Sequence, residues 1–266
     1  MASELSYPDA RFIMFSDFDG TITTEDSNDH MTDNLGMGVT ERRKYNEAIL
    51  NGSMSFRDAF AEELQSVSKN HSFPDCQSVL KKNIKLDPGF KAFLDYADQA
   101  GIPVVIVSSG MVPIIRSILS NLIGQERADK LEIVANDVTI HSDKSWEIKY
   151  RHPDSHYGHD KSRALRPYAA HKPRPTIFFA GDGVSDQSAA GESDILYVKI
   201  VPDGHNDLAA HCQKKGVPFV PFLAWDQIRD SVRDVVDGKV SVKDVQDGKA
   251  TITAAAEALQ KAQARS

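Results

Sequence analysis

Arg11-Phe12-Ile13-Met14-Phe15-Ser16-Asp17-Phe18-Asp19-Gly20-Thr21-Ile22-Thr23 carries an apolar run straight into two carboxylates spaced by one residue. Arg11 to Phe15 reads as a buried strand, because short, continuous apolar runs suit a parallel sheet covered on both faces. Residues i and i+2 of a strand share a face, so Asp17 and Asp19 emerge side by side where regular structure ends. Two anions so placed raise one another's pKa unless a cation lies between them or they divide acid and base roles. Asp and Gly are also ordinary turn residues. What the rest of the chain brings to its strand ends decides between these readings.

Further apolar runs follow at Ile102 to Val107, Leu131 to Val134 and Thr176 to Ala180, with weaker ones at Ile195 to Ile200 and Val217 to Pro221. Helical patterns fill the gaps, at Phe90 to Ala100, Val112 to Leu122, Ser162 to Ala170 and Asp207 to Lys215. This alternation predicts an α/β fold, a Rossmann-like parallel sheet with helices on both faces. Between Thr24 and Pro88 the texture is polar and strand-free, with Phe56, Phe60, Leu64 and Val67 at helical spacing. It predicts a small all-helical cap, residues 25–85, inserted after the first strand into a core of residues 1–24 and 86–266. Asn51-Gly52 and Phe73-Pro74-Asp75 are breaks between its helices. Val138 to Tyr150 predicts an antiparallel hairpin turning at Ser142-Asp143-Lys144-Ser145. Beyond Asp226 the chain is charged and then Ala-rich, and Thr251 to Arg265 predicts an amphipathic terminal helix, packed on the core or on a partner.

The chain has 266 residues, 41% hydrophobic and 26% charged, enough for one large domain or a domain with an insertion. A formal charge of -7 argues against a nucleic-acid surface or a polybasic membrane contact. The expected partner is a small molecule, with a homodimer open. Cys76 and Cys212 show no metal or redox spacing and no disulfide framework. The opening residues, Met1 to Asp9, lack the regions of a signal peptide, and no apolar run approaches the roughly 18 residues that cross a bilayer. A cytoplasmic setting is the default.

Three more stretches place chemistry at strand or helix ends. Ile102 to Val107 runs into Ser108-Ser109-Gly110; Thr176 to Ala180 runs into Gly181-Asp182-Gly183-Val184-Ser185-Asp186; and Gly158-His159-Asp160-Lys161 opens a helix. In open α/β sheets ligands bind outside the carboxyl ends of the strands, where these residues are expected to converge. His152, His156, His159 and His171 fit no common zinc spacing.

In these stretches the chain resembles the haloacid dehalogenase superfamily of phosphohydrolases. Four motifs match in order: DxDGT at Asp17 to Thr21, the serine at Ser108, the lysine at Lys161 and GDGxxD at Gly181 to Asp186. The insertion sits where members with a helical cap carry theirs. Within the superfamily the chain is similar to the branch of phosphoserine phosphatases and of the methionine-salvage phosphatase that acts on a hydroxy-keto-methylthiopentenyl phosphate. It is nearer the second in DFDGTIT, in Ser-Gly-Met and in the tail Gly216 to Phe222.

The resemblance implies a Mg2+-dependent phosphomonoesterase acting on a small phosphorylated metabolite through an aspartyl-phosphate, with Asp17 as nucleophile and Asp19 as general acid/base. Phosphate monoesters hydrolyse so slowly unaided that charge stabilisation must dominate. Asp17, the Asp19 carbonyl and Asp182 form an oxygen-only set for hard Mg2+, with Asp186 behind them. Ser108, Ser109, Gly110 and Lys161 are the expected phosphate contacts. Asp26, Arg57 and Met111 are candidate substrate contacts, together with His30 and Met31. Phosphoserine phosphatases resemble Gly52 to Phe60 but then present arginine to the substrate carboxylate, where this chain has Ala61, Glu62 and Glu63; acids there argue against an amino-acid substrate. A phosphotransferase or mutase of the same superfamily shares every motif, and a catalytically silent phosphate-binding protein is the alternative from another class. Dehalogenation needs no leaving-group acid and would leave Asp19 without a purpose.

Overall fold

The structure is a computed structural model and describes residues 5–202, 204 and 206–264. The reading of the first residues, Met1 to Glu4, and the expected helix end at Arg265 lie outside the described residues. In chain order the elements are β1 (Phe12–Ser16), α1 (Ser27–Leu35), α2 (Val39–Leu50), α3 (Phe56–Ser68), α4 (Phe73–Asn83), α5 (Phe90–Ala100), β2 (Val104–Met111), α6 (Val112–Ile123) and α7 (Gln125–Lys130). There follow β3 (Glu132–Ile140), β4 (Trp146–Lys149), α8 (Ser162–Ala169), β5 (Thr176–Gly181), α9 (Gln187–Ala190), β6 (Ile195–Lys199), α10 (Asp207–Lys215), β7 (Val220–Phe222), α11 (Trp225–Val236), α12 (Val242–Gln246) and α13 (Thr253–Gln263). The strand order is β4-β3-β2-β1-β5-β6-β7, a mostly parallel seven-stranded sheet with helices around it, as the alternation predicts. No helix among the described residues is long and apolar enough to cross a membrane.

The chain divides into two compact units. One comprises the described residues of Met1–Ile22, Asp87–Ile106 and Lys161–Ser266. Here β1 is central, paired in parallel with β2 (Met14↔Val104) and with β5 (Met14↔Phe178). Ile13, Met14, Phe15, Phe178 and Phe179 are all buried, which is why these strands read as unbroken apolar runs. Trp225, fully buried at the start of α11, packs 4.9 Å and 4.7 Å from the rings of Phe90 and Phe93 on α5. Its indole donates to the Thr21 carbonyl at 2.8 Å, which ties this aromatic cluster to the loop after β1. The sequence reading passed α11 over as a charged stretch. Its buried stripe, Trp225, Ile228, Val232 and Val235, keeps helical spacing but is diluted by Arg and Asp on the other face.

The other unit comprises Thr23–Leu86 and Val107–Asp160, so the inserted helices share it with the end of β2, α6, α7 and the β3–β4 hairpin. Asp26, Ser55 and Ser72 accept backbone N–H bonds at the N-termini of α1, α3 and α4. Phe73-Pro74-Asp75 is no break: it is the first turn of α4, where proline forfeits no helical hydrogen bond, and the gap lies before it. The expected strand at Leu131 to Val134 and the first arm of the hairpin are one strand, β3. It pairs antiparallel with β4 from Asp137↔Lys149 to Ile140↔Trp146. Trp146 anchors the hairpin, donating its indole N–H to the His71 carbonyl at 2.9 Å and meeting Phe73 edge-on at 5.3 Å.

Candidate active site

The loop after β1 is held open by its neighbours on β5. The Asp17 N–H still donates to the Ala180 carbonyl at 2.8 Å, extending the parallel pairing past the end of β1, and Ile22 N–H returns to the Phe18 carbonyl at 2.9 Å. Gly20 has φ +73°, and a Cβ there would lie 2.5 Å from Asp182 Oδ2, so glycine is required on both conformational and steric grounds. Thr21 Oγ1 donates to Asp182 Oδ1 at 2.8 Å and joins the DxDGT and GDGxxD loops directly. Asp17 and Asp19 are both buried, each with 6% of its surface exposed.

Lys161, at the N-terminus of α8, is wholly buried; its Nζ lies 2.7 Å from Asp17 Oδ1 and 2.6 Å from Asp186 Oδ1. Asp186 Oδ2 in turn accepts the N–H groups of Asp182 and Gly183, each at 3.0 Å. Both Asp186 oxygens are thus engaged, and the residue braces the loop that carries Asp182. Gly181 permits this, since a Cβ there would lie 2.5 Å from Asp186 Cγ. Burial opposes the Lys161 charge, but Asp17 and Asp186 outweigh it and hold the ammonium above its usual range. Burial first, and Asp186 next, push the Asp17 carboxyl up to about 7, with Lys161 pulling the other way. Carboxylate oxygens of Asp17, Asp182 and Asp186 lie within 4.8 Å of one another. Asp17 and Asp186 are buried and Asp182 partly so, and the three carboxylates form an oxygen-donor set that fits a hard divalent cation.

The remaining expected residues lie in the other unit. Ser108, Ser109 and Gly110 are not past the end of β2 but within it, and side chains of that unit hold the Ser108 and Ser109 carbonyls. His159 Nδ1 is 2.7 Å from the Ser108 carbonyl, and Asn136 Nδ2 donates to the Ser109 carbonyl at 2.7 Å. Ser108 Oγ accepts the Gly110 N–H at 2.9 Å, and the buried Ser109 Oγ has no partner among the described residues. Neither Asn136 nor this use of His159 was foreseen; nothing in their spacing announces a bond to a distant carbonyl. Asp26 caps α1 through Oδ1, accepting from Asn28 and Asp29 N–H at 2.7 Å and 2.9 Å. Arg57 is held by Asp58 at 2.8 Å and by the Pro153 carbonyl at 2.7 Å. Met111 and Met31 are fully buried, and His30 is half-buried.

A second cluster of charge, partly exposed apart from Glu63, escaped the sequence reading. Arg42 pairs with Asp29 at 2.7 Å and, in a two-pronged contact, with Asp33 at 2.7 Å and 2.9 Å. Glu63 lies within their field; burial pushes its carboxyl up to about 7, Arg42 opposes this, and Asp26 and Asp33 add to it. The signal was available: Glu63 sits three residues after Phe60 and four before Val67, on the apolar stripe itself.

With this geometry in place, the comparisons with known proteins are decisive. The model of the haloacid dehalogenase-like hydrolases matches residues 14–191. The chain belongs to that family. It is 46% identical to Pdp3-interacting factor 1 of Schizosaccharomyces pombe, covering 83% of this chain and 94% of that protein. It is 43% identical to a polyol phosphate phosphatase of Saccharomyces cerevisiae, covering 85% and 95%. The methionine-salvage likeness holds at a greater distance: a 2-hydroxy-3-keto-5-methylthiopentenyl-1-phosphate phosphatase of Bacillus cytotoxicus is 24% identical over 85% of this chain and 98% of that one. A solved phosphoserine phosphatase, a phospho-aspartyl intermediate analogue, shares the fold with a TM-score of 0.55 at 16% identity, over 78% of this chain and 99% of that one. The expected class, a hydrolase of this family and a phosphatase, stands.

Proposed function

We propose that the protein is a Mg2+-dependent phosphomonoesterase for a small polyol phosphate. The observation that carries this reading is the buried cage in which Lys161 ties Asp17 to Asp186 while Thr21 ties the same loop to Asp182. The substrate class rests on the 43% identical polyol phosphate phosphatase and on the state of the three arginines of the inserted helices. Arg42 and Arg57 are committed to carboxylates, and Arg43 is exposed, so none of the three favours a substrate carboxylate.

In the proposed reaction an Asp17 oxygen attacks phosphorus, and the bond to the ester oxygen breaks as Asp19 gives that oxygen a proton. Asp19 then takes a proton from water, whose oxygen attacks the phosphorus of the aspartyl-phosphate and releases phosphate with Asp17 restored. Lys161 fixes the Asp17 rotamer and lowers repulsion between its carboxylate and the phosphoryl oxygens. Ser108, Ser109 and Gly110 are proposed to contribute hydroxyl and backbone donors to those oxygens. Mg2+ held by Asp17, Asp182 and the Asp19 carbonyl would neutralise charge on nucleophile and phosphate when bound, with Asp186 keeping Asp182 in place. The reading includes a reducing, cytoplasmic setting, to which the buried free thiols of Cys76 and Cys212 are suited.

The purified chain is expected to release phosphate from glycerol 3-phosphate only with Mg2+ present, and Asp17→Asn to lower turnover by a factor on the order of 10,000 or more. Undiminished turnover by that variant would remove the nucleophile assignment. Transfer of the phosphoryl group to a sugar rather than to water would favour the phosphotransferase alternative.

A further inference from the structure

At Trp225, the first residue of α11, the aromatic core of its unit meets the loop after β1. A phenylalanine would fill the cluster of Phe90, Phe93 and Phe222 without a polar atom, whereas an indole N–H buried there needs an acceptor. It takes the Thr21 carbonyl at 2.8 Å, and Thr21 is fully buried. The Ile22 N–H goes to the Phe18 carbonyl at 2.9 Å, so both polar groups of the peptide joining Thr21 to Ile22 are fixed. From the same residue the Thr21 hydroxyl reaches Asp182 Oδ1 at 2.8 Å. The bonds therefore lead from Trp225 to a carboxylate that has an oxygen within 4.8 Å of oxygens of Asp17 and Asp186.

The other end of this series of bonds is held as well. Asp87, itself buried, accepts the Trp225 N–H at 3.1 Å and the Gly89 N–H at 3.0 Å through Oδ1, and Lys199 Nζ at 2.6 Å through Oδ2. Its own N–H donates to the Ile22 carbonyl at 2.9 Å, one residue beyond the carbonyl that the indole holds. Gly89 lets α5 and α11 start this close together, since a Cβ there would lie 2.3 Å from the Asp226 nitrogen. An aromatic core gains little from a buried ion pair, whose desolvation offsets much of its attraction. The pair instead fixes the carboxylate that orients Trp225. We propose that Trp225 is a positioning residue of the reaction centre: its indole, set by Asp87 and Lys199, fixes the Thr21 peptide, and the Thr21 hydroxyl thereby keeps Asp182 placed for a divalent cation. The inference rests on the Mg2+-dependent reading above and adds what holds the metal-binding carboxylate in place.

The chain has two tryptophans, Trp146 and Trp225, and replacing either by phenylalanine assigns their indole N–H resonances. Mg2+ alone, titrated into the isotope-labelled wild-type chain, is expected to shift the Trp225 resonance with the same midpoint as binding measured by calorimetry, because coupling between the two is reciprocal. Trp225→Phe keeps a ring in the cluster and drops the N–H. It is expected to weaken Mg2+ binding about tenfold, and to raise by the same factor the Mg2+ needed for half-maximal hydrolysis of p-nitrophenyl phosphate, with kcat largely recovered at saturating Mg2+. Phe90→Leu loosens the same cluster without touching the hydrogen bond, so it should lower the melting temperature and leave Mg2+ binding unchanged. Unchanged Mg2+ binding by Trp225→Phe, or equal losses of affinity in both variants, overturns the inference. So does a wild-type chain that binds Mg2+ with an unmoved Trp225 resonance, a result that does not depend on Trp225→Phe folding. A wild-type chain that binds no Mg2+ removes the metal-dependent reading itself, and the Trp225 inference with it.

Discussion

Each unit gathers a cluster of carboxylates around one cation, and the two differ in how completely they are closed: Lys161 is wholly buried, whereas Arg42, Asp29 and Asp33 each keep some exposure. Around Lys161, Asp186 has both oxygens engaged, Asp17 shares the ammonium, and the Asp182 carboxylate is held by Thr21. Around Arg42, Asp29 and Asp33 take the guanidinium, and Glu63 lies in the field of all three. In the first cluster the carboxylate oxygens of three residues converge within 4.8 Å, an arrangement that suits a cation. In the second no such convergence is found among the described residues.

The largest expected effect would come from opening the closed cluster. Lys161→Met leaves Asp17 and Asp186 buried together without their cation, and breaking a buried pair in this way costs about 3–5 kcal/mol, read by denaturant unfolding. A loss below about 1 kcal/mol would show that the lysine is not what holds the cage. The next effect belongs to the open cluster and to pH. In the folded chain Glu63 keeps its proton up to about 7, against an ordinary value of 4.5. The folded state therefore binds more protons than the unfolded state between these values. The stability this gives is complete below about pH 4.5 and is lost as pH rises through 7, about 3 kcal/mol in all. Asp29 is pushed up as well, by burial and by Asp26, but 43% of its side chain is exposed and solvent screens its share. Glu63→Gln should flatten the fall in melting temperature between pH 5 and 8, roughly the window of this titration; an unchanged slope would assign it to other groups. The smallest effect is local: Asp26→Ala removes the α1 cap at a cost of about 1 kcal/mol, and a much larger loss would mean that Asp26 belongs to the Arg42 cluster energetically as well as electrostatically.

Much of the fold was legible because parallel strands buried on both faces must be continuously apolar, as Arg11 to Phe15 and Thr176 to Ala180 are. Helix α11 was not, because its stripe of four apolar residues is interrupted by charges that only the far face explains. Proline at the start of α4 read as a stop, since its effect depends on whether it opens a helix or interrupts one. The members of the reaction centre were legible as residue types at strand ends, whereas Glu63 was hidden by its charge on a face where an apolar residue is the rule.

By itself, then, the sequence determined the sheet, the family and which carboxylates and lysine stand at the strand and helix ends, because strand periodicity and short motifs are local properties of the chain. Only the tertiary structure decided which oxygens Lys161 and Asp186 hold, that His159 and Asn136 secure the serine strand, and that Glu63 is buried on the inner face of α3. The physical reason is that burial and hydrogen-bond satisfaction depend on groups remote in the chain. A carboxylate's role follows from the donors that reach it, and no spacing in the sequence lists them.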